Sequence, residues 1–452
     1  MTGRRLSAIF ALIALLGAHA PLCAYTLEYR DSSGVVARRW LTQPIIIAFS
    51  SSLNSPPANI KTGSDVVGAA RRALRHWSSI SSVQFFETTS AAQTISPPNS
   101  GDHINLITVS ADNAFVFASE DIPGRTRVFS DASGAITEAD IALNPNVLFS
   151  SDGTFGTYDL ESTFTHEIGH LLGLEHSAVL GATMQPRQAM NGMFGLPAFT
   201  QRSLSDDDIA GARALYGPRG GTGSLSGRLV ATSIGGTSQA VFGAHVFAED
   251  AATGRVVAGN VTLQSGEYRI DSLPRGSYHV IGQSLDGPVE AEEIATARGS
   301  YARLVDTTPP FRTHIATKAA TDLIAVFPDK ATSLGFFVSA NPEPALTPRL
   351  IGMNGELSTV ALPLARGKKI RIYVAGEGVD GLSPAGVSST SPFININAES
   401  VIEEQFDTPY TAISFEITVA RNTPAGEYSI VLQSADGEIA YLAGALTIDD
   451  EK

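Results

Sequence analysis

In the first half of the chain, apolar runs typical of strands alternate with apolar residues at helical spacing. Residues 44–49 (PIIIAF) form a β-branched, apolar run, which predicts a buried strand. Over Asp65–Ser79 the apolar residues recur every three or four positions, which predicts a helix with one apolar face formed by Val67, Ala70, Leu74 and Trp77. Ser64 is its predicted N-cap.

Three more strands and two more helices are expected before residue 217. The strands are Val83–Glu87, Ile104–Val109 and Ile136–Leu143, and the helices are Leu160–Leu174 and Asp206–Tyr216. Gly217-Pro218 is a natural stop for the last helix. Residues 25–217 are therefore predicted to form one domain that mixes strands and helices.

Beyond residue 217 the helical spacing disappears. Residues 218–227 include the run RGGTGSLSG and are predicted to be a Gly/Ser-rich linker. Short apolar strands separated by turn residues then recur as far as Ile448, which is typical of antiparallel β-sandwiches. We expect one sandwich at 228–315 and another at 330–449.

The predicted helix at Leu160–Leu174 carries the strongest chemical signal of the chain. Residues 166–176 read HEIGHLLGLEH. Residues four apart stack on one face of a helix, so the imidazoles of His166 and His170 can bind one metal ion. Glu167 lies beside the first ligand, where its carboxylate can reach a metal-bound water and act as a general base.

A third ligand requires this helix to end. Three histidines with this spacing cannot converge on one ion from a straight helix, and Gly173 permits the positive φ of a sharp turn. His176 can then approach the same ion from another side. Three protein ligands leave the fourth position of a tetrahedral zinc ion to water, which indicates a catalytic zinc.

The motif resembles the signature of the metzincin metalloendopeptidases, and the residues after it resemble the matrixin (matrix metalloproteinase-like) branch. The resemblance implies a zincin catalytic domain over 25–217, with Met184 in a turn below the metal and Pro186 in the wall of a specificity pocket. It also implies that Asp207 and Asp208 brace that turn and can accept a new N-terminal ammonium. Acidic residues at a helix N-terminus are favoured by the helix dipole as well, and both explanations stay open.

Three features depart from the matrixin pattern. The cysteine that keeps matrixin precursors latent has no counterpart, so latency by a thiolate is not expected. After the predicted signal peptide only His76 and His103 precede the motif, so a second, structural zinc is not expected. Gln185 stands where many relatives have tyrosine, which removes a phenol from near the pocket.

Two other features of residues 25–217 leave alternatives open. Thr137–Asn144 is expected to be the sheet edge above the cleft, where an unpaired strand can bind an extended peptide; an interior strand is the alternative. Asp131, Gly134, Asp152 and Gly153 could supply oxygen ligands for calcium, Ca2+, or could be ordinary turn residues.

The C-terminal half has a resemblance of its own. Gly266-Glu267-Tyr268 and residues 273–278 (LPRGSY) resemble the carboxypeptidase-regulatory-like β-sandwich of extracellular bacterial proteins, and we expect 330–449 to be Ig-like. These are mostly turn and core positions, so they bear on the fold. The fold class predicted for the whole chain is an α/β zincin (metzincin) catalytic domain followed by two all-β sandwich domains.

Composition and charge restrict the compartment and the partners. Arg4 and Arg5 followed by the apolar run 6–17 predict a signal peptide over residues 1–24, with a membrane anchor as the alternative. Cys23, the one cysteine, lies inside it, so we expect a mature chain without disulfides or a cysteine-ligated zinc. The net charge of −14 argues against nucleic-acid binding, and no later segment is long and apolar enough to span a membrane.

The sequence thus predicts a secreted or extracellular zinc endopeptidase that uses one catalytic Zn2+. Glu167 would assist the attack of a zinc-bound water on an internal bond of a protein or peptide substrate. The sandwiches would attach the enzyme to a cell surface, a matrix or a large substrate. The alternatives are a surface adhesin or binding protein that uses the zincin domain as a scaffold, and a zinc hydrolase acting on another kind of bond.

Overall fold

The structure is a computed structural model that describes residues 26–28, 36–117, 122–233, 235–294, 310–316, 322–340 and 342–449. The predicted signal peptide at 1–24 lies outside these residues. In the described part of the chain, no helix has the length and apolar character that a membrane span requires.

The N-terminal half is a five-stranded sheet with helices packed on it. Its strands are β1 Ile45–Ser50, β2 Phe85–Ser90, β3 Leu106–Thr108, β4 Gly124–Ser130, β5 Ile136–Leu143, β6 Phe149–Ser150 and β7 Tyr158–Asp159, and its helices are α1 Val66–Ile80, α2 Leu160–Leu171 and α3 Asp206–Tyr216. The sheet order is β2-β1-β3-β5-β4, with β4 antiparallel to β5 and the other pairs parallel. β6 and β7 form a separate pair.

Helix α1 holds the motif helix α2 in place. Its N-cap is Asp65, whose side chain accepts from the Gly68 N–H, so the predicted cap at Ser64 is wrong by one residue. Trp77 on its apolar face is fully buried, and its Nε1 donates to the Thr165 carbonyl in α2 over 2.8 Å. The apolar spacing in the sequence therefore buries the α1 face that packs on α2.

Strand β5 lies inside the sheet, so the edge predicted at Thr137–Asn144 is wrong. β5 pairs with β3 on one side and with β4 on the other, and all but one of its residues are buried. Near-continuous burial is typical of an interior strand, because both faces are covered. Among the described residues, β4 is the edge strand on this side of the sheet.

The C-terminal half is almost entirely β-structure. Its elements are β8 Thr222–Thr232, β9 Ser238–Ala240, β10 His245–Asp250, β11 Arg255–Val261, β12 Glu267–Pro274, β13 Gly276–Gln283, α4 Ala291–Ile294, β14 His314–Ile315, β15 Ile324–Val326, β16 Ala331–Ser333, β17 Phe336–Ser339, β18 Thr347–Met353, β19 Glu356–Ser358, β20 Leu362–Pro363, β21 Lys369–Glu377, β22 Leu382–Ser389, β23 Ile394–Glu404, β24 Thr411–Val419, β25 Gly426–Ser434 and β26 Ile439–Ile448.

The predicted linker at 218–227 is mostly strand, because β8 begins at Thr222. Its glycines allow this strand to pack closely against other backbone segments of the same chain. A Cβ on Gly223 would lie 2.2 Å from the Phe327 carbonyl oxygen, and one on Gly227 would lie 1.7 Å from that of Leu334. A glycine-rich run can therefore mark a close approach of two backbones as well as a flexible connection.

The sandwiches predicted at 228–315 and 330–449 share sheets. β16 and β17, from the start of the second, pair with β8 in the first. β11 pairs with β25, which joins strands from both into one nine-stranded sheet containing β14-β13-β10-β11-β25-β26-β20. β18, β19, β21, β23 and β24 form a further sheet. The predicted boundary failed because strand pairing at long range leaves no local pattern in the sequence.

One face of the nine-stranded sheet packs against the N-terminal half. Phe247 and Tyr441 of the sheet form a buried apolar cluster with Val179, which follows the histidine motif. The Leu180 N–H donates to the Ala443 carbonyl over 3.0 Å. The segment that follows the motif is therefore attached directly to the C-terminal half.

Candidate metal centre

The C-terminal end of α2 is capped by two aromatic side chains. Trp40 Nε1 donates to the Leu171 carbonyl over 2.9 Å, and the Tyr216 hydroxyl donates to the Leu172 carbonyl over 2.6 Å. These bonds satisfy carbonyls that have no partner inside the helix. They hold the helix end where the chain turns towards the third histidine.

Gly173 forms that turn. Its φ is +90°, and its N–H donates to the His170 carbonyl over 2.8 Å. A Cβ at this position would lie 2.3 Å from the Arg38 carbonyl oxygen. Both the backbone conformation and the available space therefore favour glycine, and the turn brings His176 back towards the end of α2.

The three histidines of the motif face one another. The ring centroids of His166, His170 and His176 are 4.9 to 5.4 Å apart. One ligand nitrogen from each ring lies within 4.8 Å of the other two. Within the described ranges, no other group of three or more His, Cys, Asp or Glu side chains lies close enough together to hold a metal ion.

Backbone carbonyls determine which ring nitrogen can bind a metal. The three Nδ1 atoms lie 2.8, 2.8 and 2.6 Å from the carbonyl oxygens of Thr183, Leu174 and Glu293, respectively. A carbonyl can only accept, so each Nδ1 carries the proton and each Nε2 keeps a free lone pair. Burial lowers the pKa of His166 to about 3 and also lowers the pKa of His170 and His176, so all three rings are neutral near pH 7.

This donor set fits a catalytic zinc ion. Neutral imidazoles with oriented Nε2 atoms are common zinc ligands, and a carbonyl partner on the second nitrogen is the usual support. Three ligands also leave a fourth tetrahedral position for water or substrate.

Glu167 lies next to this group and below the edge strand. Its carboxylate accepts from the Thr126 hydroxyl of β4 over 2.6 Å. Burial raises the pKa of Glu167 to about 7, while the Thr126 hydrogen bond and the Arg125 charge oppose the shift. A Cβ on Gly124 would lie 2.6 Å from Glu167 Oε1, so glycine leaves the space that the carboxylate occupies. A carboxyl with this pKa can take and return a proton near neutral pH.

Met184 lies against the motif helix and is fully buried. A Cβ on Gly169 would be 2.2 Å from its sulfur atom. The Asp208 carboxylate accepts from the backbone N–H groups of Thr183 and Met184, over 2.8 and 3.2 Å. Since the Thr183 carbonyl accepts from His166, Asp208 supports the first histidine through this turn.

Asp207 connects the metal centre to the C-terminal half. One carboxylate oxygen accepts from the Ser177 hydroxyl over 2.5 Å, and the other accepts from the Gly259 N–H of β11 over 2.7 Å. Burial, followed by the neighbouring Asp208 charge, raises the pKa of Asp207 to about 7. Both oxygens thus have partners within the chain, one on each side of the junction.

The segment after Met184 also contacts the C-terminal half. Pro186 is half-buried, and Gln185 is fully buried with its side-chain amide donating to the Thr359 carbonyl over 3.2 Å. Arg187 forms an ion pair with Glu293 over 2.7 Å. The residues on either side of Pro186, which is expected to wall a specificity pocket, therefore both contact the C-terminal half.

The carboxylates considered for calcium have partners of their own. Asp131 accepts from the backbone and hydroxyl of Ser133, and Asp152 forms an ion pair with Lys61. Calcium binding by these loops stays a prediction. Among the histidines upstream of the motif, His76 contacts Glu161 over 2.8 Å.

The sequence did not point to Thr126, Gly124 or Glu293. Thr126 is 41 residues from Glu167, and Glu293 is 117 residues from His176. No spacing rule connects residues so far apart, and none of the three lies in a sequence motif. Only the pairing of β4 and the position of α4 place them at the site.

Comparison with known proteins agrees with this geometry. Residues 47–217 match the family model for matrixin. Metalloendoproteinase 1-MMP of Arabidopsis thaliana is 34% identical over 163 residues, which is 35% of this chain and 39% of that protein. The hatching enzyme of Paracentrotus lividus is 30% identical over 189 residues, which is 41% of this chain and 27% of that protein. The chain thus spans less than half of either relative.

Among solved structures, the major pilin subunit of Bacillus cereus aligns with 48% of this chain and 66% of its own, at 14% identity and a TM-score of 0.15. That likeness is too slight to support an argument. The family match, the relatives and the histidine geometry agree for the N-terminal half: residues 47–217 are a matrixin domain.

Proposed function

We propose that this protein is a secreted zinc-dependent endopeptidase. The observation that carries the proposal is the set of three neutral histidines, His166, His170 and His176, with Nε2 atoms free for one ion beside Glu167. The matrixin match and the relatives named as a metalloendoproteinase and a hatching enzyme support it. Secretion rests on the predicted signal peptide at 1–24.

The chemistry follows from the groups around the site. Zinc held by the three histidines would polarise a peptide carbonyl and lower the pKa of water in the fourth position. Glu167 takes a proton from the attacking water and returns it to the leaving amine. Thr126 holds the Glu167 carboxylate in position through its 2.6 Å hydrogen bond.

The cleft is expected to bind an extended peptide along β4. β4 is the edge strand beside Glu167, and an edge strand offers free backbone donors and acceptors to an extended chain. Pro186 would line the pocket for one substrate side chain, with Met184 below the metal. The β-sandwiches would attach the enzyme to a surface, a matrix or a large substrate.

The first prediction tests the general base. Replacing Glu167 by Gln should lower kcat for casein or gelatin cleavage by roughly a hundredfold to ten-thousandfold, because the water loses its proton acceptor. Bound zinc should remain near one per chain by elemental analysis, since Glu167 is not a ligand. Glu267→Gln, an exposed change in β12, serves as the control.

Two results would refute the proposed function. Wild-type protein that binds no zinc, or a Glu167→Gln variant as active as wild type, would leave the surface-binding alternative as the better account.

A further inference from the structure

The third histidine is oriented from outside the matrixin domain. The carbonyls that accept from His166 and His170 belong to Thr183 and Leu174, which lie within residues 47–217. The carbonyl that accepts from His176 Nδ1, at 2.6 Å, belongs to Glu293 in α4. One of the three supporting hydrogen bonds therefore comes from the C-terminal half.

Glu293 is held in place by its own side chain. One carboxylate oxygen accepts from Arg187 over 2.7 Å, and the other accepts from the Glu290 N–H over 3.0 Å. Arg187 follows the turn that contains Met184, so the ion pair ties α4 to the other side of the metal centre. The backbone carbonyl and the side chain of Glu293 thus contact two different parts of the site.

Apolar packing anchors α4 on the same side. Ile294 is buried, and it belongs to a cluster that includes Val289, Ala178 and Leu180. Ala178 lies two residues after His176. The helix is therefore fixed both beside His176 and beside Arg187, and its carbonyl has little freedom to leave the imidazole.

We propose that α4 is a positioning element of the metal centre. The Glu293 carbonyl keeps His176 in its Nδ1–H tautomer with Nε2 directed at the metal, and the Arg187–Glu293 ion pair keeps that carbonyl in reach. The inference rests on the proposed zinc site. Loss of such a supporting contact typically weakens metal binding by about tenfold to a hundredfold.

Charge reversal in the full chain tests the ion pair. Arg187→Glu and Glu293→Arg should each raise the zinc Kd about tenfold in competition with a chromophoric chelator. The double reversal should lower it again towards the wild-type value, short only of the Glu290 N–H contact that Glu293→Arg removes. The absorption spectrum of cobalt-substituted protein should change in each single variant and return in the double. A change of ligand orientation alters that spectrum, whereas a change in folding stability alone does not.

The thermal midpoint of the metal-free protein separates positioning from stability. The pair is partly exposed, with 57% and 19% of the two side chains accessible, so its contribution to the free energy of unfolding is small. Each single variant should therefore unfold at nearly the wild-type temperature when metal-free. Arg187→Gln removes the ion pair without introducing a repulsive charge, and it should also raise the zinc Kd.

Arg71→Glu is the matched control. Arg71 pairs with Glu87 over 2.6 Å on the surface of α1, with 50% and 33% exposure, and its loss should leave zinc affinity and the cobalt spectrum unchanged. The inference is overturned if the single variants bind zinc like wild type, if the double reversal binds zinc no better than the single variants, or if weaker binding only follows a lower midpoint. Wild-type protein that binds no zinc would instead refute the proposed function.

Discussion

At the residue scale, the Thr126 hydroxyl contacts the proposed general base, Glu167, through two oxygen atoms. Glu167 accepts from Thr126 over 2.6 Å, and the second contact of this hydroxyl, at 2.9 Å, is the carbonyl of Glu167 itself. Thr126 is in the edge strand where a peptide substrate is expected to lie. Thr126 therefore links the proposed base to the strand proposed to bind substrate.

Replacing Thr126 by Val should lower kcat about tenfold, because the carboxylate loses a charge-assisted hydrogen bond worth about 1.5 kcal/mol. Thr126→Ser keeps the hydroxyl and should retain most of the rate. Zinc content should be equal in all three proteins by elemental analysis. Full activity in the valine variant would show that the hydroxyl does not orient the base.

The site residues that the sequence predicted are those within one short stretch. The positions of His166, Glu167 and His170 follow from helix spacing, and Gly173 follows from the need to end the helix. Thr126 and Glu293 could not be predicted, because their contacts depend on strand pairing and domain packing over 41 and 117 residues. The spacing therefore predicts the proposed ligands and base, while Thr126 and Glu293, which orient two of them, can be found only from the fold.

At the element scale, the hairpin formed by β18 and β19 holds the loop that follows Pro186 through two hydrogen bonds. Asn354 Nδ2 donates to the Phe194 carbonyl over 2.7 Å, and the Phe194 N–H donates to the Glu356 carboxylate over 2.5 Å. Phe194 has φ of 57°, which is unfavourable for a residue with a side chain and costs about 1 kcal/mol or more. Asn354 in the turn and Glu356 at the start of β19 offset that cost, because they provide hydrogen-bond partners for both the N–H and the carbonyl of Phe194.

Replacing Asn354 by Gly should loosen this loop selectively. Asn354 has φ of 54°, which glycine adopts freely, so the change removes the amide without straining the turn. We expect faster amide hydrogen exchange over residues 190–198 and little change in the thermal midpoint. Asp329→Gly, at φ of 56° elsewhere in the chain, is the control. Unchanged exchange in the loop would mean that the apolar packing around Phe194 holds it without the turn.

The bounds of individual helices and strands were predicted better than the pairing between strands. The helix at Asp206–Tyr216 and the strand at Ile136–Leu143 have the predicted bounds. Apolar periodicity reports which face of an element is buried, and it carries no information on which strand lies alongside. The edge assigned to Thr137–Asn144 and the boundary between the two sandwiches were wrong for that reason.

At the scale of the whole molecule, the metal centre and the nine-stranded sheet are expected to unfold together. Asp207 bonds to Gly259, Arg255 pairs with Asp206, and Leu180 bonds to Ala443 across a buried junction. Separating the halves would expose apolar side chains and leave the Asp207 carboxylate with one partner fewer. Calorimetry of the full chain should therefore show a single transition.

Removing zinc with a chelator should lower the midpoint of that single transition. A ligand present at a thousand times its Kd stabilises the folded state by about 4 kcal/mol, and this contribution is lost with the metal. Adding zinc back should restore the midpoint. Two separate transitions, of which only one responds to the chelator, would show that the halves are thermodynamically independent.

The sharing of strands between distant parts of the chain has a consequence for biosynthesis. The three histidines and Glu167 are synthesised before the residues of the C-terminal half that contact this region. The carbonyl that accepts from His176 belongs to Glu293. The residues that contact Val179 and Leu180, Tyr441 and Ala443, are synthesised later still. A growing chain therefore carries all three histidines before it carries the carbonyl that orients His176. Under the proposed function, the metal centre would gain its last support only after Ala443 has been synthesised, and activity would be delayed until then.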